Sequence, residues 1–158
     1  MPVSQIRIRP FQPGDAEAFR KLNEAWINMY FGMEEPDRMV LENPETHIIR
    51  PGGAVFLAFM EDEPVGTCAL IPIRPGVFEV AKMSVREDCR GKGIGRQILE
   101  YAIERAKELG ATVLHLETNS KLANAIHLYE SVGFRHIPPE EIEPSPYVRA
   151  NVFMDMRL

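Results

Sequence analysis

The sequence predicts an α/β fold of the α+β type, built on a mixed sheet, and two observations predict it. Two apolar runs, Ala54–Met60 and Val65–Ile73, flank the tight turn Glu61-Asp62-Glu63-Pro64, the pattern of a hairpin. Two amphipathic helix patterns, Arg96 to Leu109 and Asn119 to Val132, each come after an extended run, as in β-α-β units. Hairpins and β-α-β units in one chain imply both antiparallel and parallel neighbours in the sheet. At 158 residues the chain suits one domain, residues 1–158, with a sizeable core.

Each element has its own signal. Ile6 and Ile8 alternate with Arg7 and Arg9, a half-buried first strand. Pro13-Gly14-Asp15 breaks it, and Asp15 offers an N-cap to the next helix. Ala18, Phe19, Leu22, Ala25, Trp26, Met29 and Tyr30 recur at helical spacing, which predicts a helix from about Ala16 to Phe31. Pro36 opens a shorter helix that ends before Pro44. Ala54–Met60 is almost wholly apolar, as a strand buried on both faces is. Pro75-Gly76 turns the second hairpin strand into the extended run Val77–Val85. Ile94, Ile98, Leu99, Ala102, Ile103, Ala106 and Leu109 share one helix face, with Gly110 as C-cap. Thr112–Thr118 is a further strand. Asn119–Val132 turns Leu122, Ala125, Ile126, Tyr129 and Val132 inward and stops at Gly133. A proline-rich loop spans Pro138–Pro146, and Tyr147–Arg157 reads as the last strand. The order is roughly β-α-α-β-β-β-α-β-α-β-β, about seven strands flanked by about four helices.

Composition narrows the function classes. Hydrophobic residues make up 45% and charged residues 26%, ordinary for a globular protein. No apolar run approaches the ~20 residues that span a bilayer, and the N-terminus has no apolar signal-peptide core. No membrane association and a cytoplasmic location are the expectation. Cys68 and Cys89 form no CxxC pair and read as reduced thiols. The net charge of −5 argues against general nucleic-acid binding. His47, His115, His127 and His136 lack metal-ligand spacing, so no metal is expected. No G-x-S-x-G nucleophile elbow is present.

The most informative stretch is Arg90-Gly91-Lys92-Gly93-Ile94-Gly95-Arg96, between the run ending at Val85 and a helix. A strand that feeds a basic, Gly-rich loop opening a helix aims backbone N–H groups and a positive dipole end at one point. Such a point binds phosphate. It is not a dinucleotide fingerprint, because Arg96 stands where the third glycine belongs, nor a P-loop, because Gly93 comes after Lys92 in place of Ser or Thr. The plain alternative is a flexible loop with solvated charges.

These residues resemble the GCN5-related N-acetyltransferases, the GNAT family, whose signature [Q/R]-x-x-G-x-G/A reads here as Arg90-Gly91-Lys92-Gly93-Ile94-Gly95. The resemblance extends upstream over Glu79–Val85 and downstream over Ala125–Phe134, and the element order matches the family from Ile6 to Leu158. The resemblance implies a GNAT-like fold and direct transfer of the acetyl group of acetyl-CoA to a primary amine in a ternary complex, the acceptor being a small molecule or peptide. It implies a pyrophosphate cradle from Arg90 to Arg96, Lys92 included, and a pantetheine arm paired along Met83-Ser84-Val85. Glu79 is the candidate general base. The alternative is a solvent-facing polar residue on a strand. Counted by alternation, Glu79 shares a strand face with Ala81, Met83 and Val85. Tyr129 is the candidate general acid for the leaving thiolate, or else a core tyrosine. The family often carries Asn seven residues before this tyrosine, whereas Leu122 stands there, so Asn119 is the expected substitute contact. The aromatic stripe Trp26, Met29, Tyr30 and Phe31 is core on spacing alone. By resemblance Tyr30 and Phe31 border the acceptor pocket, and Tyr147 and Arg149, in the returning strand, are candidates to border the same pocket. The acidic stretches Glu34–Glu45 and Glu140–Glu143 hint at a cationic acceptor. The resemblance also admits a homodimer. Two other functions fit the same motifs, an idle acetyl-CoA sensor and a transferase of a different acyl-CoA.

Overall fold

The chain runs β1 (Ile6–Pro10), α1 (Ala16–Tyr30), α2 (Glu35–Glu42), β2 (Ala54–Met60), β3 (Glu63–Arg74), β4 (Val77–Val85), α3 (Ile94–Glu108), β5 (Val113–Thr118), α4 (Ala123–Val132), β6 (Arg135–His136) and β7 (Val152–Arg157), in a computed structural model that describes residues 5–158. The seven strands form one open sheet in the order β1-β2-β3-β4-β5-β7-β6. Only β4 and β5 pair in parallel, and every other pair is antiparallel, so the sheet is mixed.

Alternation along the strands divides the core in two. Phe56, Ala58, Cys68, Leu70, Val80, Leu114 and Leu116 pack on one face with Ile94, Ile98, Leu99 and Ala102 of α3. Leu128, Tyr129 and Val132 of α4 pack against the same cluster. Val55, Leu57 and Ala69 point to the other face, beneath Phe19 and Ile27 of α1 and Leu41 of α2. Phe19, Ile27, Leu57, Leu70 and Leu99 are wholly buried, each contributing about 1.5–3 kcal/mol relative to an exposed side chain. The central strand β4 is therefore covered by α1 and α2 in front and by α3 and α4 behind.

A bulge interrupts β4. Ala69 pairs with Ala81 and Thr67 with Ser84, so Lys82 and Met83 together oppose Cys68. Lys82 takes the left-handed conformation, φ 51°, a position uncommon for a residue with a Cβ. The extra residue shifts the alternation by one. Glu79 and Ala81, paired with Ile71 and Ala69, face front. Ser84 also faces front, where its hydroxyl donates to the Leu22 carbonyl of α1 at 2.7 Å. Met83 and Val85 pack into the rear cluster. The expectation that Glu79, Met83 and Val85 share a face is corrected by this insertion.

Other boundaries differ for local reasons. Asp15 stands at the N-cap position of α1, but its side chain makes no cap bond to that helix. Its carboxylate accepts from Gln12 N–H at 2.7 Å and from Arg9 Nη1 at 2.6 Å, closing a 3-10 turn over Pro13–Asp15. α4 begins at Ala123 because Asn119 Oδ1 accepts from Lys121 N–H at 2.8 Å, which folds residues 119–122 into a turn. The last strand begins at Val152 and not at Tyr147, since residues 147–150 turn away from β5 toward α2. A wide helical turn over Glu45–Ile49, with Arg50 N–H donating to Glu45 O, had no sequence signal.

Candidate active site

The loop between β4 and α3 supplies donors. Gly91 and Gly93 have φ of 79° and 78°, and a Cβ at either would project into space with no atom within 4 Å. The first backbone bond of α3 runs from Gln97 N–H to Gly93 O, so the N–H groups of residues 94–96 have no helical partner. Ile94 is buried and anchors this turn in the core, while Arg90, Lys92 and Arg96 are exposed. Such a concave, Cβ-free, donor-lined turn fits a pyrophosphate.

β4 and β5 pair only over Val77–Glu79 and Val113–His115 and then diverge. β5 turns its other edge to β7 as far as Thr118. The backbone edge of β4 from Val80 to Val85 is thus left unpaired on its β5 side. A cavity of about 670 Å³ fills the opening and runs from Arg90, Gly91 and Gly93 past Met83 and Tyr129 to Glu79 and Tyr147. Its size suits a small-molecule site.

Glu79 stands where the strands part, beside its ladder neighbour His115. Burial pushes its carboxyl up to about 7, and the nearby Glu117 adds to this against the opposing pull of His115 and Lys82. Glu117 also lines the cavity. His115 lies between two carboxylates, with Nδ1 2.8 Å from Asp155 and Nε2 3.2 Å from Glu117. Burial lowers its pKa, but these two partners outweigh burial and raise it to about 9. Tyr129 reaches the cavity from α4, its ring edge-on to Phe134 at 6.0 Å. Burial raises its hydroxyl, which keeps the phenol protonated.

The cavity brings together most of the residues expected from sequence. Met83, Ser84, Val85, Arg90, Gly91, Gly93, Ile94, Gly95, Arg96 and Asn119 line it, with Tyr30 beside Arg90, whose Nη1 donates to its hydroxyl at 3.5 Å, and Phe31 and Tyr147 at the far end, whereas Lys92 does not. Asn119 is committed within the protein, its Nδ2 donating to Arg149 O at 2.7 Å. Among the described residues no group of three or more His, Cys, Asp or Glu could hold a metal, and no helix is long and apolar enough to cross a membrane.

An ion network at the far end was not expected from the sequence. Asp37 of α2, fully buried, accepts from Lys82 Nζ at 2.6 Å and from both Arg149 Nη atoms at 2.6 Å. Lys82 Nζ also donates to the Tyr147 hydroxyl at 2.9 Å. Glu34 accepts from Val148 N–H at 2.9 Å and from Arg149 Nη1 at 3.4 Å. Burial opposes ionisation of Asp37, but Arg149 and Lys82 outweigh it and hold the carboxyl down at about 2. Two acidic residues of the Glu34–Glu45 stretch are therefore turned inward and neutralised, which removes much of its hint of a cationic acceptor. The only signal was the Pro36 helix start that places Glu34 and Asp37 three residues apart, as a capping box does.

Residues 18–134 match the Acetyltransferase (GNAT) family. An uncharacterised N-acetyltransferase of Schizosaccharomyces pombe is 30% identical over 141 residues, 86% of this chain and 86% of that protein. One of Bacillus subtilis is 32% identical over 102 residues, 63% of this chain and 66% of the relative's length. A GNAT acetyltransferase structure from Staphylococcus aureus superposes with a TM-score of 0.86 at 25% identity, over 97% of this chain and 99% of the other. A Bacillus subtilis acetyltransferase solved with CoA shares the fold, with a TM-score of 0.73 at 23% identity, over 98% and 99% of the two chains. The Gly-rich turn, the parted strands and these matches lead to one conclusion: this chain belongs to the GNAT family.

Proposed function

We propose that the protein transfers the acetyl group of acetyl-CoA directly to a primary amine of a small molecule or peptide, both substrates being bound together. The observation that carries this reading is the parting of β4 and β5 after Glu79, which joins the donor-lined turn at α3 to Glu79 through one cavity. The turn and Arg90 would hold the pyrophosphate. The unpaired edge of Met83-Ser84-Val85 would hold the pantetheine arm as an added strand. The Met83 N–H would donate to the thioester oxygen as charge develops on it. Glu79, half-buried and with its carboxyl pushed up to about 7, would take a proton from the ammonium, directly or through water. The neutral amine nitrogen then bonds to the acetyl carbon, the C–S bond breaks, Tyr129 protonates the departing thiolate, and the second proton lost from the product nitrogen passes through water to restore the Tyr129 hydroxyl.

Calorimetry with acetyl-CoA tests the reading. The native chain is expected to bind and the Arg90→Glu, Gly93→Asp double variant to lose binding at least tenfold. Failure of the folded native chain to bind acetyl-CoA overturns it.

A further inference from the structure

We propose that the acceptor amine carries a carboxylate a few bonds away, as an amino acid does, and that Lys82 and Arg149 receive that carboxylate. This rests on the acetyl-transfer reading and assigns its substrate class.

Lys82 and Arg149 both line the cavity, and the acids that neutralise them, Asp37 and Glu34, do not. The wall therefore presents donors, with the acids behind it. Lys82 has three N–H donors, and the protein engages two, through Asp37 and Tyr147. Arg149 spends its Nη atoms on Asp37 and Glu34, and its Nε has no partner among the described residues. Both cations lie against the Tyr147 ring, at 4.5 and 4.6 Å from its centroid. Two like charges share one ring with a single fully buried carboxylate between them. Glu34 is farther from Arg149 and also holds the Val148 N–H. An incoming carboxylate would find unused N–H donors on both cations in a poorly solvated place, where such pairing is strongest.

The ammonium end has the opposite sign, because Glu79 and Glu117 line the same cavity. Glu79 and Lys82 lie three residues apart on β4, and the bulge turns Lys82 to the front beside Glu79. Three residues of strand span ~10 Å at most, and both side chains lean into one cavity. A short zwitterion meets both poles, whereas a polyamine would set a second ammonium against Lys82 and Arg149.

A purely structural network, tying α2 to residues 147–149, would also explain the ion pairs. Competing acceptors separate the two readings. With saturating acetyl-CoA, CoA release is monitored for the L-amino acids, for their amides and for spermidine, and binding of the same compounds to the CoA-loaded enzyme is measured by calorimetry. At least one amino acid is expected to exceed its amide tenfold or more in kcat/KM. Lys82→Met is expected to shrink that ratio at least fivefold. If Lys82→Met does not fold, the Lys82→Met, Asp37→Asn pair removes both charges and serves in its place. Amides or spermidine turned over as well as every amino acid, or a ratio unmoved by the substitution, overturns the carboxylate site and leaves acetyl transfer standing. Absence of turnover on every amine overturns the acetyl-transfer reading instead, and carboxylate preference is then decided by the binding data alone.

Discussion

Glu79 shows how one environment serves two ends. Its half-buried place at the parting of β4 and β5 opens onto the cavity, and the same desolvation, with Glu117 nearby, pushes its carboxyl up to about 7. A base must be unprotonated to act, so kcat/KM should rise with pH through about 7 and level off above it. Glu79→Gln should lower kcat by ~10²-fold or more and flatten that rise, and a profile that keeps its limb in the variant would remove Glu79 as the base. Glu79 and Tyr129 were singled out because they occupy fixed places in motifs, and both line the cavity. The meeting of Asp37, Lys82 and Arg149 was not legible, although Arg149 was expected at the pocket, because the three come from α2, β4 and the loop before β7 and meet only through the fold.

At the scale of elements, the hairpin, the Gly-rich turn and α3 were readable because each is a local pattern of period and punctuation. The start of α4 and the end strand were misplaced by side chains that answer to distant partners or to their own turn. Asn119 folds the first turn locally, and Glu34 holds residues 148 and 149 away from the ladder. Gly53, just before β2, shows a close approach that sequence could not reveal. A Cβ there would lie 2.3 Å from Leu70 O and 2.7 Å from Ile48 O, both backbone atoms unable to yield. Gly53→Ala should cost about 1–3 kcal/mol, lowering Tm by roughly 2–12 °C in a thermal melt. Gly14→Ala, with open space around its Cβ, is the control and should shift Tm by under about 2 °C.

For the whole molecule, the sheet is a wedge whose two halves meet at β4 and β5, and the cavity occupies the space where a continuous ladder would have been. Acetyl-CoA bound there should stabilise the native state by mass action, about 2.7 kcal/mol at a hundredfold excess over Kd. Tm should then rise by roughly 5–10 °C, and the Arg90→Glu, Gly93→Asp variant should show no such rise. Remove Lys82 from the count and β4 alternates without a break: Glu79 and Ala81 front, Val80 and Met83 rear, Ser84 front, Val85 rear. The inserted residue disturbs no neighbour's facing, so the pleat can carry or lose it as a guest. The proposed carboxylate contact, Lys82, thus hangs on the one position of β4 that the ladder does not require, directly before the Met83–Val85 edge proposed for pantetheine, whose register it leaves unchanged.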